Sequence, residues 1–491
     1  MPDLPPRLRD ALVAAEFSYD RVTELLGEQG HLALGRNETT PAWRATTDGS
    51  PLATLTRLFL LQRTVAFPEV ERALPGLVPS MQAAGFLTVA GNDVRAGLDI
   101  RPYGTEDVDW WVVSDLTPGM DGAPIQVGTE HVLGISPAAT SLAQLTIRDR
   151  VGTAFDLGTG CGVQALHLAQ HCDRVIATDV NERALEITRF NLALNGVDNV
   201  EVHGGSLFDP LLDSGVGSVD LIATNPPFVI SPPTGDRLTY RDSGFPGDSV
   251  VERIIRAAPQ HLNEGGWCQV LANWAITDIA WEERIGGWLD PSCDALIVQR
   301  EVLDPAAYVE LWLKDAGHHG GPGYLAKYDE WLGWLEAEGI TGVGFGWLNL
   351  RRRPSGESGT ATHSLLDWPY TVEQPIAPAI AEWGDAIGRP ADDHSLLAAR
   401  LVRRSDVIQE TTGEPGAEDP EVIVLRQQRG FRRARTAGSM EAALVGACDG
   451  DLTIGQIADA LAQLTEREPD ELRAELLTNV RELVAEGFLG D

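Results

Sequence analysis

Residues 153 to 162 read Thr153-Ala154-Phe155-Asp156-Leu157-Gly158-Thr159-Gly160-Cys161-Gly162, and an apolar helical run, Val163 to Ala169, follows directly. A short apolar strand, a glycine-rich turn and a helix start make a unit with a use. The glycines allow a tight turn and close approach of a ligand to the backbone, and the first turn of the helix offers unpaired N–H donors. The spacing is G-x-G-x-G with an acid, Asp156, ahead of it, which departs from the G-x-G-x-x-G of a nicotinamide site. Outward from this turn the pattern alternates strand and helix, with strands expected near 153–157, 174–178, 199–203, 219–224, 267–273, 294–300 and 342–351. Alternation of this kind is the signature of βαβ units, so the fold class is α/β with a doubly wound, Rossmann-like, seven-stranded sheet. The helical stretch around 304–338, with Trp312, Trp331 and Trp334, lengthens the last crossover and reads as packing.

Chemistry-bearing residues recur at the carboxyl ends of successive strands, where open α/β sheets bind ligands. The second strand ends in Asp179, a carboxylate placed to accept from both hydroxyls of a ribose; the competing reading is a helix cap before Glu182 to Asn191. After the third strand comes Gly204-Gly205-Ser206-Leu207-Phe208-Asp209, where an adenine ring could lie against Leu207 and hydrogen-bond at Ser206. The fourth, Val219 to Thr224, runs into Asn225-Pro226-Pro227-Phe228. An amide or ring-amino nitrogen has a delocalised lone pair and attacks only when its N–H bonds are held. The Asn225 side-chain oxygen and the Pro226 carbonyl can accept two such hydrogens, Pro227 fixes the turn, and Phe228 can stack on a flat target. The Pro/Gly-rich stretch from Val229 to Asp248 reads as a substrate-facing lid, with Tyr240 and Arg241 as contacts, or as an ordinary surface loop.

These motifs, in this order, resemble those of class I S-adenosylmethionine-dependent methyltransferases of the Asn-Pro-Pro-(Tyr/Phe) type over roughly 120–352. The likeness is greatest to HemK-like protein glutamine methyltransferases and ribosomal RNA guanine-N2 methyltransferases. The resemblance implies that S-adenosylmethionine is the cofactor and that Asp156, Gly158, Gly160 and Gly162 line its methionine and ribose end. It further implies that Asp179 holds the ribose, that Ser206 and Leu207 flank adenine, and that Asn225 borders both cofactor and acceptor. Asn225, Pro226, Pro227 and Phe228 would form the catalytic clamp. That family commonly has an acid where Ser206 stands. By the same analogy Thr129 to Leu142 closes over the cofactor.

The rest of the chain sets the context. Its 491 residues suit about three domains, and 43% hydrophobic content supplies their cores. A net charge of −34 repels polyanions, which lowers the expectation of a nucleic-acid acceptor without removing it. Lys314 and Lys327 are the only lysines. No run reaches the ~20 apolar residues of a membrane span, and Met1 to Pro6 lacks the order of a signal peptide, so the expected location is cytoplasmic. The cysteines, Cys161, Cys172, Cys268, Cys293 and Cys448, form no C-x-x-C pair, so neither disulfide framework nor metal site is expected; His318-His319 reads as loop.

Four segments are expected. Residues 1–100 form a helical, winged-helix-like domain, with Leu8, Leu12, Val13 and Phe17 at helical spacing and a Gly85-Phe86-Leu87 ending. Residues 101–352 form the methyltransferase domain, entered through a strand pair at 97–103 and 109–115. Residues 353–390 are a linker, and 391–491 a second winged-helix-like domain that ends a helix in Gly487-Phe488-Leu489, with a loop at 411–420. Arg426, Arg429, Arg432, Arg433 and Arg435 could touch RNA phosphate or pair with the acidic helices that follow; pairing is favoured. The expected function is methyl transfer to a planar nitrogen such as a protein glutamine amide. The alternatives are a nucleobase N-methyltransferase (rRNA guanine-N2 or adenine-N6) and a non-catalytic cofactor-binding module. Acceptor identity and oligomeric state stay open.

Overall fold

Phe155, Val175, Ile176, Ala177 and Ile222 are fully buried, because helices cover both faces of the sheet their strands belong to. In the computed structural model the described residues are 3–104, 108–123, 125, 127–233, 238–242, 244–356, 359–387, 392–414 and 420–490. They divide into two compact units, Met1–Ala143 with Arg148–Trp368, and Gln144–Ile147 with Pro369–Asp491.

The first unit is built on strands β1 (Val151–Leu157), β2 (Cys172–Asp179), β3 (Val200–Gly204), β4 (Val219–Thr224), β5 (Leu262–Ile276), β6 (Cys293–Leu303), β7 (Gly342–Arg352) and β8 (His363–Asp367). Their order across the sheet is β8-β6-β7-β5-β4-β1-β2-β3. All neighbours are parallel except β7, which runs antiparallel to both β5 and β6. The sheet therefore has eight strands among the described residues, not the expected seven. The additional one, β8, lies inside the stretch read as linker, where its half-exposed residues gave no apolar run to mark it.

The chain builds β1, β2 and β3 outward in one direction, then returns to place β4 on the other side of β1. This reversal is the switch point at which such sheets open a crevice. Register makes it exact in space: Leu157 pairs with both Thr178 and Thr224, so the loops after β1, β2 and β4 leave together. The Thr224 hydroxyl donates to the Leu157 carbonyl at 2.7 Å, tying two of those loop starts.

The helix after β1 is α1 (Val163–Leu168) and the helix after β2 is α2 (Glu182–Asn195). A hairpin of Asp99–Gly104 and Asp109–Ser114 packs on α2. Asn191, with no exposure, accepts from the Val113 N–H at 2.8 Å and donates to the Val113 and Cys161 carbonyls at 2.9 and 2.7 Å. One turn on, Asn195 makes the same pair of bonds to Trp111, at 3.0 and 2.9 Å. Two side-chain amides thus stand in for a neighbouring strand. The crossover between β6 and β7 holds α3 (Pro305–Asp315) and a helix Tyr324–Ala337, where Trp331 is buried as packing.

The amino-terminal helices share their core with this hairpin and with Leu194 of α2, within the first compact unit. Leu8, Leu12 and Phe17 are fully buried, but Val13 is 60% exposed, because its position turns the side chain off the apolar stripe. Thr56–Leu60, Val65–Ala66, Phe67–Ala73, Val78–Ala83, Leu87–Ala90 and Asp93–Ala96 follow in the order helix, strand, helix, helix, strand, strand. The three strands form one antiparallel sheet.

The second unit has an antiparallel meander, Val407–Thr412, Val422–Gln427 and Ala434–Ala437. Helices Ser439–Ala447, Ile454–Thr465 and Pro469–Ala485 follow, and Val402–Arg403 pairs with Leu489–Gly490. Helix Ala377–Ile387 occupies part of the expected linker, and Thr411 and Thr412 belong to a strand rather than the expected loop, of which 415–419 lie outside the described residues. Both Gly85 and Gly487 take a left-handed φ, +80° and +77°, and the following Phe86 and Phe488 are buried. Arg426 pairs with Glu410, and Arg435 with Glu441, Glu482 and Glu486, so two of the clustered arginines serve the unit itself. All five cysteines are buried thiols. Among the described residues no helix is long and apolar enough to cross a membrane.

Candidate active site

A cavity of about 770 Å³ opens at the switch point of the sheet in the first unit. That volume lies within the 300–1,000 Å³ typical of small-molecule sites. Of the eleven residues singled out in the sequence, Asp156, Gly158, Gly160, Asp179, Ser206, Leu207, Asn225, Pro226 and Pro227 line it. Gly162 and Phe228 do not.

The turn after β1 is shaped by hydrogen bonds to β2. The Gly158 and Thr159 N–H groups donate to the Thr178 carbonyl at 2.9 and 2.8 Å, and the Gly160 N–H donates to the Asp179 carboxylate at 3.0 Å. Gly160 has φ +56° and space where a side chain would point, so its backbone faces the open cavity. Gly162, at φ +83°, has a different duty: a Cβ there would meet Thr188 of α2 at 2.9 Å. Its smallness serves helix packing, not a ligand.

Asp179 ends β2, and its other oxygen accepts from the Asn181 N–H at 2.9 Å. The cap of α2 is Asn181, whose side chain accepts from the Arg183 N–H at 3.0 Å. The alternative role weighed for Asp179 is thus filled by another residue, while its carboxylate, accepting from the Gly160 and Asn181 N–H groups, borders the cavity. Next to it Val180 is 63% exposed and lines the same space, an apolar surface that sequence reasoning missed. A large aliphatic residue directly after the strand-end acid was the available signal. After β3, Ser206 is exposed and Leu207 half-buried with a left-handed φ of +48°.

Asp156 lies at the cavity floor, 2% exposed, accepting from the Thr159 hydroxyl at 2.6 Å. Burial, and then the neighbouring Asp179 charge, push its carboxyl up to about 7; burial also raises Asp179. A raised folded-state pKa means that the folded protein binds this proton more tightly than the unfolded chain. The stability it contributes is full below the unfolded value near 4 and is lost as pH rises towards 7. Asp156→Asn keeps an acceptor for Thr159 and removes the ionisation. In thermal melts of the ligand-free protein, the variant is expected to gain on the native chain as pH rises from 4 to about 7 and to hold that gain above it.

Asn225 follows β4. Its side-chain oxygen is buried and has no hydrogen-bond partner among the described residues. An unpaired buried acceptor costs about 1–3 kcal/mol, which a donor arriving in the cavity would recover. Phe228 forms a backbone bridge with Asp242 and packs half-buried against the sheet's core. The run beyond it is held by the Ile230 N–H donating to the Tyr308 hydroxyl of α3 at 2.8 Å.

In the expected lid, Thr234 to Arg237 and Ser243 lie outside the described residues. Tyr240 lines the cavity as expected, together with Phe245. Arg241 does not: it is 6% exposed and pairs with Asp242 and Asp315 while donating to the Trp312 carbonyl at 3.0 Å. Thr129, His131 and Val132 line the opposite entry, held there by Val132 donating to Asp115 at 2.8 Å and Asn181 to the Glu130 carbonyl at 3.0 Å.

The arrangement fits a cationic nucleoside ligand. Two acids and a free-facing glycine backbone suit a ribose and an ammonium or sulfonium, apolar residues suit a base, and the orphan amide oxygen suits an N–H donor. S-adenosylmethionine meets each of these requirements.

Comparison with known proteins agrees with this geometry. Residues 135–278 match the family described as methyltransferase small domain, and residues 14–97 match a domain of unknown function, DUF7059. The ribosomal protein uL3 glutamine methyltransferase of Bradyrhizobium diazoefficiens is 36% identical over 174 residues, 33% of this chain and 52% of that protein. The ribosomal RNA small subunit methyltransferase C of Alcanivorax borkumensis is 32% identical over 130 residues, 26% and 35% of the two chains. The release factor glutamine methyltransferase of Xylella fastidiosa is 34% identical over 133 residues, 24% and 46% of the two. The chain spans about half the length, or less, of these curated relatives. Residues 135–278 thus match the methyltransferase small domain family, and part of the chain is similar in sequence to glutamine and ribosomal RNA methyltransferases.

Proposed function

We propose that this chain transfers a methyl group from S-adenosylmethionine to a planar nitrogen, a protein side-chain amide such as glutamine. The observation that carries the reading is the buried Asn225 side-chain oxygen, without a hydrogen-bond partner among the described residues, lining one cavity with the glycine turn of a methyltransferase small domain. Asp179 takes the ribose hydroxyls, Asp156 and the Gly158–Gly160 backbone border the methionine end, and Ser206 and Leu207 border adenine. The Asn225 oxygen and Pro226 carbonyl accept the two acceptor hydrogens, Pro227 fixes their spacing, and a ring at the cavity mouth supports the flat group. The bound cofactor supplies an activated methyl carbon. In-line positioning is then the protein's main contribution, an effect worth up to roughly 7–11 kcal/mol.

A protein acceptor is favoured over a nucleobase by the charge of −34 and by the pairing of Arg426 and Arg435 within their own unit. The terminal helix and strand groups, with winged-helix-like order, serve in this reading to hold the partner, with 101–352 as the expected catalytic segment and the cytoplasm as its place. The test is transfer of labelled methyl into lysate from cells that lack the gene, treated beforehand with protease or nuclease. Label should vanish with protease and survive nuclease. The reverse result would assign a nucleic-acid acceptor, and cofactor binding without any transfer would make the chain a binding module.

A further inference from the structure

The aromatic support for the acceptor is the part of the site where sequence and structure diverge. Phe228 belongs to the tetrapeptide but lies outside the cavity lining, against the sheet's core. Two other rings of this unit do line the cavity on the side of Asn225's loop, Tyr240 and Phe245. The Arg253 guanidinium lies 4.5 Å from the centre of the Phe245 ring and covers one of its faces.

Tyr240 is held from three directions. Its hydroxyl donates to the Asp315 carboxylate of α3 at 3.0 Å, and that carboxylate is neutralised by Arg241 at 3.3 Å. His131, from the opposite entry, meets the ring edge-on with centroids 6.0 Å apart. The Thr239 N–H before it donates to the Thr129 carbonyl at 3.1 Å. A ring fixed at its tip, flank and backbone loses little freedom when a flat group stacks on it, which is the condition for an aromatic anchor to be worth its area.

We propose that Tyr240 is a ring against which the flat acceptor group stacks, with Asp315 and His131 holding it in place. The inference rests on the N-methyltransferase reading above and names the acceptor-side residue of that same site. It also makes α3 part of acceptor recognition, since Asp315 fixes the ring that would touch the acceptor while Tyr308, on the same helix, holds the run leaving Asn225.

The experiment compares Tyr240→Ala, Tyr240→Phe, Phe245→Ala and Phe228→Ala with the native chain. Methyl transfer into lysate of the deletion strain is read as initial rate against lysate concentration, and S-adenosylhomocysteine affinity is read by calorimetry. Tyr240→Ala should raise the half-saturating lysate concentration by about tenfold, as loss of a stacked ring does, with homocysteine-nucleoside affinity within twofold of native, which also reports a folded cavity. Tyr240→Phe keeps the ring and should lose less than threefold. A native chain that transfers methyl while Tyr240→Ala keeps native acceptor binding, or while Tyr240→Phe loses as much as Tyr240→Ala, overturns the inference alone. A native chain that transfers to no lysate overturns the function on which it rests.

Discussion

Asn225→Ala is expected to slow methyl transfer by about 100- to 1000-fold while S-adenosylhomocysteine still binds within a few-fold of native affinity. The size follows from what one preorganised hydrogen-bond partner contributes inside a water-excluded site. The direction follows from the geometry: the Asn225 oxygen is buried and has no hydrogen-bond partner among the described residues, so the folded protein bears that cost before the acceptor arrives. Truncation removes a group that the acceptor N–H would meet, while Asp179, the glycine turn and the Leu207 loop stay where β1, β2 and β3 put them. Single-turnover rates with saturating lysate, set beside calorimetry, separate the two quantities. A variant that lost cofactor binding as well would show that Asn225 shapes the cofactor pocket rather than holding the acceptor.

Asn191→Ala is expected to destabilise the first unit by about 3 kcal/mol, measured by denaturant unfolding, and more than any single exposed ion pair removed from the same unit. Three bonds disappear at once, and the Val113 N–H, the Val113 carbonyl and the Cys161 carbonyl are left in a fully buried place. Buried backbone groups without partners cost about 1–3 kcal/mol each, partly relieved if water enters the space left by the amide. Because Cys161 is in the glycine turn, the same change should loosen S-adenosylhomocysteine binding, although Asn191 is not among the residues lining the cavity.

Chemistry carried by contiguous residues was readable in the chain; chemistry assembled across distance was not. Asp156, Asp179, Leu207 and Asn225 each stand at or just beyond the carboxyl end of a strand, so the strands announced the loops and the loops announced the crevice. Gly162 belongs to the same short motif but answers to Thr188, on a helix that no local pattern ties to it. Phe228 was assigned by adjacency to Asn225, and its backbone bridge to Asp242, fourteen residues on, had no local signal. Tyr240 could be named as a contact, but what fixes it, Asp315, is 75 residues away in sequence. Asn191 and Asn195 read only as polar residues in a helix until the hairpin lies beside them. The eighth strand, half-exposed along its length, has no apolar run to betray it.

That strand has a further bearing on how the molecule can be trimmed for study. β6 is an apolar row, with Ala295, Leu296, Ile297 and Val298 wholly buried, and His363 to Asp367 hydrogen-bond along it in parallel register. A recombinant fragment stopped at Arg352 would expose this hem as an open template, the kind of unguarded border through which chains stick to one another. Carrying the fragment on to Trp368, whose N–H donates to the Gln299 carbonyl at 2.8 Å, closes the seam with the protein's own cloth.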